Sequence, residues 1–216
     1  MNILSLNTSV QTPKTQANLS ADDAMEILKA GNARFVNNQR AARHLTSQVE
    51  ATSTGQYPFA TVLSCIDSRV PAEHVFDQGI GDIFSIRIAG NFINEDILGS
   101  MEFACKLAGT KLLVVLGHTA CGAVKGACDN AKLGNLTGML DKIQPAVKAV
   151  SEPKDASKRN SKNLDFVNAV CKANVELSVK NILDKSPVLA EMEKAGEIKI
   201  VGGMYDISTG KVQFYK

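Results

Sequence analysis

The sequence predicts an α/β domain with a mostly parallel central sheet of about four strands, an antiparallel edge strand, flanking helices and an N-terminal helical arm. Three observations carry this. Short β-branched apolar runs recur along the chain, patterns of helical period separate them, and the chain closes on a turn followed by one more apolar run.

In chain order, residues 1–19 are rich in Ser, Thr, Asn and Gln with little to bury, and read as an arm that is loose or laid on another surface. The ordered domain is expected over 20–216. Ser20 and Asp23 resemble a capping box, and Ala24, Ile27, Leu28, Gly31 and Phe35 follow at helical spacing, predicting a helix over 21–38. A polar stretch, 41–57, leads to Pro58 and the run 59–64, which has the length and β-branching of a fully buried strand. Pro71 suits the first turn of a following helix, where its missing N–H is no loss. Further strands are predicted at 83–86, 112–116 and 198–201, with helices over 94–108, stopped by Gly109, and 163–183. Ser208-Thr209-Gly210 reads as a turn feeding the edge strand. Residues 152–162 read as a solvated charged loop, and Gly79-Ile80-Gly81 and Gly202-Gly203 as turns or close packing rather than phosphate cradles.

At 216 residues and 44% hydrophobic content the chain suits one domain with a substantial core. Lysine plus arginine (24) nearly balance aspartate plus glutamate (22), so no net field favours nucleic acid or an anionic membrane, and a small-molecule substrate is the expectation. No apolar run reaches the roughly 18 residues of a membrane span. The N-terminus lacks a basic region, a long apolar region and a small-residue cleavage site, which argues against secretion. Five widely spaced cysteines make a poor disulfide framework. Reduced thiols in the cytoplasm, some of them metal ligands, fit better.

Cys65 directly follows the first buried strand, in Cys65-Ile66-Asp67-Ser68-Arg69. His118 and Cys121 follow a second one, in Gly117-His118-Thr119-Ala120-Cys121-Gly122. Ligands of open α/β sheets bind at the carboxyl ends of strands, so two strand ends delivering cysteine and histidine point to one crevice. The three-residue step predicts His118 and Cys121 on one side of a starting helical turn. Two thiolates and an imidazole suit zinc and leave a fourth tetrahedral position open, which is the pattern of a catalytic site. The metal lowers the pKa of water towards about 7 and so generates hydroxide. Asp67, held ionised by the Arg69 fork, would orient that hydroxide towards a small electrophilic substrate. Alternatively, Asp67 could close the site as a fourth ligand.

Residues 64–73, Arg87-Ile88-Ala89-Gly90-Asn91 and 117–123 strongly resemble the β-carbonic anhydrases, and the likeness runs from Gly31-Asn32 to the Tyr205 region. The paired Cys-x-Asp-x-Arg and His-x-x-Cys motifs, in this order and roughly fifty residues apart, are a specific signal. The resemblance implies reversible hydration of carbon dioxide to bicarbonate and one zinc per chain on Cys65, His118 and Cys121. It also implies a homodimer or an oligomer of dimers, with the N-terminal helix on the partner subunit. Gln56, Phe84 and Gly122 match substrate-pocket positions, and Phe103 stands where the family often has tyrosine. Other members bind regulatory bicarbonate beside a tryptophan; Val62 is at that position here, while Arg87 and Tyr205 match that site. The open arrangement, with Asp67 off the metal, is the expected one.

Taken alone, Cys65 would be a small buried hydrophobe; the second motif makes it a ligand. Cys105, Cys128 and Cys171 read as packing residues, and His74 as a surface or core histidine, although histidine can relay protons. The competing functions are a non-catalytic zinc protein, a related hydrolase acting on CS2, and a thiol-redox enzyme using Cys65 and Cys121.

Overall fold

The structure, a computed structural model, describes residues 8–215; the opening residues of the arm, 1–7, and Lys216 lie outside them. Thr12 forms a capping box with Thr15 at the start of a short helix, α1 (Pro13–Ala17). Gln16 is buried there and donates to the carbonyls of Pro58 (2.7 Å) and Ala108 (2.8 Å). This part of the arm is therefore laid on its own chain, where it satisfies two backbone acceptors.

The predicted Ser20–Asp23 box opens α2 (Ala21–Val36). Within it Gly31 lets the helix press on the next segment, since a Cβ there would lie 1.8 Å from the Phe76 carbonyl oxygen. Asn32 donates to the carbonyls of Val75 (3.0 Å) and Gly210 (2.9 Å) and accepts from Val212 N (2.9 Å), which ties three segments together. The polar stretch predicted without structure contains α3 (Leu45–Thr52). Its Leu45 and Val49 are exposed, so it lacks the apolar face that would have announced it.

Next come β1 (Ala60–Ser64), the single turn α4 (Ala72–Val75), β2 (Ile83–Arg87), α5 (Glu95–Glu102) and a π-helical turn, Phe103–Leu107. β3 (Leu112–His118) is followed by α6 (Gly122–Cys128), α7 (Gly134–Asp141) and α8 (Gln144–Ala149), then α9 (Leu164–Lys185), α10 (Pro187–Lys194), β4 (Lys199–Tyr205) and β5 (Val212–Tyr215). The loop before α9 is less solvated than its charge suggests. Arg159 donates to the carbonyls of Val147, Val150 and Pro153 and lies 4.6 Å over the Phe166 ring.

The sheet order is β2-β1-β3-β4-β5, parallel except for β5, which runs antiparallel to β4 at the edge. Side chains of β1 and β3 alternate between two apolar layers. Val62, Val114 and Leu116 pack with Leu28 and Phe76 on one face, and Leu63, Leu113 and Val115 with Met101, Val175 and Leu189 on the other. A third cluster, with Phe166, Val170 and Ile143, covers the carboxyl ends of the strands and includes Cys65 and Cys121.

Candidate metal centre

Ser64, the last residue of β1, pairs with Leu116 of β3, so Cys65 leaves the sheet as β3 runs on. The spacing predicts His118 and Cys121 on one helical turn; in the structure His118 instead ends β3. The β3–β4 ladder continues through His118 opposite Tyr205, and this pairing keeps His118 extended. Thr119 and Ala120 then turn the chain, with Ala120 at φ +54°, and Cys121 becomes the N-cap of α6.

The sulfurs of Cys65 and Cys121 lie 3.9 Å apart, and with one nitrogen of His118 all three donor atoms fall within 4.8 Å of one another. Zinc bond lengths of about 2.3 Å to sulfur and about 2.0 Å to nitrogen give tetrahedral edges of about 3.5–3.8 Å. The sulfur pair is already close to that spacing and far from a disulfide, and all five cysteines are free thiols. His118 Nδ1 lies 3.0 Å from the Thr119 carbonyl oxygen, which can only accept, so Nδ1 carries the proton and Nε2 keeps its lone pair. Nε2 is buried without a hydrogen-bond partner. An orphaned lone pair beside two buried sulfurs is what a tetrahedral cation would satisfy. The residues fit zinc.

The neighbouring Cys121 thiol and burial push Cys65 up to about 12, and the Cys171 thiol, with burial, pushes Cys121 up to about 11. Cys171, read from sequence as packing, thus sits against a donor sulfur. Asp67 lies in the loop after Cys65 with its Oδ2 3.8 Å from His118 Nε2. Arg69 grips it in a fork, Nε to Oδ1 at 2.9 Å and Nη2 to Oδ2 at 2.7 Å, and adds its backbone N–H to Oδ1 at 3.0 Å. These bonds hold the Asp67 carboxyl well below the usual carboxylate range. Arg87 braces the same loop from β2 by donating to the carbonyls of Cys65 (3.0 Å) and Asp67 (2.7 Å). Val62 is fully buried in β1, and Tyr205 is buried opposite His118.

A cavity of about 260 Å³ opens beside Cys65 and Asp67, walled by Ala89, Gly122, Ala123, Leu136, Met139 and Leu140 among others. Gly122 therefore lines it. The leucine and methionine walls come from α7, which sequence periodicity did not single out. Phe84 and Phe103 lie elsewhere: their rings meet edge to face at 6.2 Å in an open groove outside β2, together with Arg87, Glu95 and Asp96. Gln56 is exposed ahead of β1, at the end of that strand opposite Cys65. His74 is on the surface, its Nδ1 accepting from Arg40 at 2.7 Å.

Gly90, quoted from sequence only within the Arg87–Asn91 motif, donates its N–H to Cys65 Sγ at 3.3 Å, and Asn168, which sequence reasoning did not single out, accepts at Oδ1 from Ala120 N at 2.8 Å. The available signal was polar: asparagine interrupts the apolar face of α9.

Comparison with known proteins agrees with this geometry. The family model described as carbonic anhydrase matches residues 60–212. Carbonic anhydrase 2 of Mycobacterium tuberculosis is 35% identical over 191 residues, covering 87% of this chain and 89% of its own. The β-carbonic anhydrase CcaA has a similar structure, with a TM-score of 0.71 and 26% identity over 89% of this chain and 95% of its own. CafA of Aspergillus fumigatus, another β-carbonic anhydrase, gives a TM-score of 0.67 and 26% identity over 90% of each chain. A family match spanning most of the sheet, a relative aligned along nearly its whole length and the shared fold lead to one assignment: the chain belongs to the β-carbonic anhydrase family.

Proposed function

We propose that this chain hydrates carbon dioxide reversibly to bicarbonate and a proton, using one zinc held by Cys65, His118 and Cys121. The observation that carries this is the placement of an Arg69-held Asp67 beside three converging donor atoms, at the mouth of a largely apolar cavity. Zinc, when bound, supplies the acidity that makes hydroxide available from water near neutral pH.

The chain's residues do the rest. Arg69 keeps Asp67 ionised and directed by a bidentate fork, so Asp67 serves as a hydrogen-bond acceptor that orients the attacking oxygen. With both carboxylate oxygens taken up by Arg69, Asp67 is drawn away from closing the site as a fourth ligand. The apolar wall of Leu136, Met139 and Leu140 suits a small uncharged substrate and disfavours retention of the bicarbonate anion. Arg87, matched by resemblance to a regulatory anion site, spends two donors on the loop carbonyls here, which favours a bracing role.

A second copy completes the pocket in this reading. Gln56, Phe84 and Phe103 match pocket positions of the family, yet within one chain none of them lines the cavity beside Cys65, so a homodimer, or an oligomer of dimers, brings them in from the partner. Five free thiols support a reducing, cytoplasmic setting. Among the described residues no helix is long and apolar enough to cross a membrane.

Stopped-flow hydration of carbon dioxide by the zinc-loaded chain, with CS2 hydrolysis measured beside it, tests the proposal. Rapid hydration with little CS2 turnover is expected. A zinc-loaded chain that hydrates no faster than buffer would favour the non-catalytic zinc protein, and preferential CS2 turnover the other hydrolase.

A further inference from the structure

The longest helix, α9, lies against the metal loops with a polar stripe. Asn168, Cys171, Asn174 and Ser178 recur every three or four residues and so share one face. Asn174 is 3% exposed, and a buried amide costs free energy unless its hydrogen bonds are made. Its Nδ2 donates to the carbonyl of Gly90 at 2.7 Å. That same glycine donates its N–H to Cys65 Sγ at 3.3 Å. Gly90 has φ +80°, and a Cβ on it would meet Ile143 Cδ1 at 2.5 Å, so only glycine fits there, and the Asn174 bond restrains a residue whose backbone is otherwise permissive. Nearly two turns earlier Asn168 Oδ1 accepts from the N–H of Ala120 at 2.8 Å. Ala120 is the left-handed residue between His118 and Cys121, in a conformation that side-chain-bearing residues adopt at a cost. One helix thus reaches the loop that carries Cys121 directly and the Cys65 sulfur through Gly90, in the loop after β2.

We propose that Asn168 and Asn174 are positioning residues for the metal centre. Asn168 locks the turn that points His118 and Cys121 at the same place, and Asn174 holds Gly90 so that its N–H faces the Cys65 sulfur. Neither touches the metal. They act by fixing the donors in advance, which raises metal affinity and sets ligand geometry. The inference rests on the reading of the cluster as a zinc site.

The experiment compares the full-length parent with Asn168→Ala, Asn168→Asp and Asn174→Ser. Zinc affinity is read by chelator competition, and ligand geometry by the thiolate-to-cobalt charge-transfer absorption after cobalt(II) substitution. Removing the side-chain hydrogen bond should weaken zinc binding about 10–100-fold and alter the cobalt band. Asn168→Asp keeps the acceptor oxygen and should restore near-parent affinity and spectrum. Asn168 is only half-buried, so its variants decide the matter even where Asn174→Ser does not fold. Parent-like zinc affinity and an unchanged cobalt band in Asn168→Ala, even with a lower melting temperature, would reduce the contact to fold stability and overturn the proposal. A parent chain that takes up no zinc would instead overturn the metal-centre reading itself.

Discussion

On the proposed zinc site, the metal would compete with protons for the buried sulfurs of Cys65 and Cys121, because a neighbouring thiol and burial hold these groups up to about 12 and about 11. Raised thiol pKa values favour the protonated, metal-free form as pH falls, so zinc affinity must rise with pH. Chelator competition between about pH 6 and about pH 9 should show a steep rise, approaching two protons released per zinc; a flat dependence would contradict thiolate ligation. Asp67 behaves in the opposite sense. Its depressed carboxyl stays ionised throughout that range, and the stability it contributes is present above the unfolded value of about 3.9 and lost only as pH falls through its lower folded value. Cys65, Asp67, Arg69, His118 and Cys121 were legible in the sequence because each lies in a short motif at a strand end. The contacts of Asn168 and Gly90 were not, since they join residues 48 and 25 positions apart that no local pattern connects.

Among the elements, strands and long helices were legible wherever burial left a continuous apolar run or a helical period. β1 and β3 are buried along their whole lengths, and α2 carries its start signal in Ser20 and Asp23. α3 and the short helices between Cys121 and Val150 were not, because they are a few turns long at most and lean on neighbours rather than on a wide apolar face of their own. The helix predicted over 94–108 is continuous, but its last turn widens to a π-helix at Phe103–Leu107. The pairing of Gly31 with Asn32 is explained by contact between elements: the glycine admits the Phe76 carbonyl, and the asparagine bonds three backbone groups around it. Gly31→Ala would force α2 off α4 and should cost about 3 kcal/mol, lowering the melting temperature by roughly 6–12 °C. An unchanged thermal melt would show that the helices do not meet this closely.

On the scale of the whole molecule, the mostly parallel sheet was legible from strands alternating with helical patterns; its order, β2-β1-β3-β4-β5, was not, and it delivers the carboxyl ends of β1 and β3 side by side. The open edge at β2 is a different matter. An exposed strand edge with a groove holding Phe84, Phe103, Arg87, Glu95 and Asp96 offers apolar surface and both signs of charge, as a self-complementary two-fold contact requires. Sedimentation velocity at micromolar concentration should therefore show a dimer or a multiple of it, while a stable monomer with full hydration activity would remove the partner from the pocket. The central proposal is that Asp67 held by Arg69 makes a three-ligand zinc site catalytic. Its most direct measurement is the carbon dioxide hydration rate of Asp67→Asn, taken together with its zinc content. The variant should keep one zinc per chain and lose about a hundredfold or more in rate; near-parent turnover at full zinc occupancy would contradict the claim.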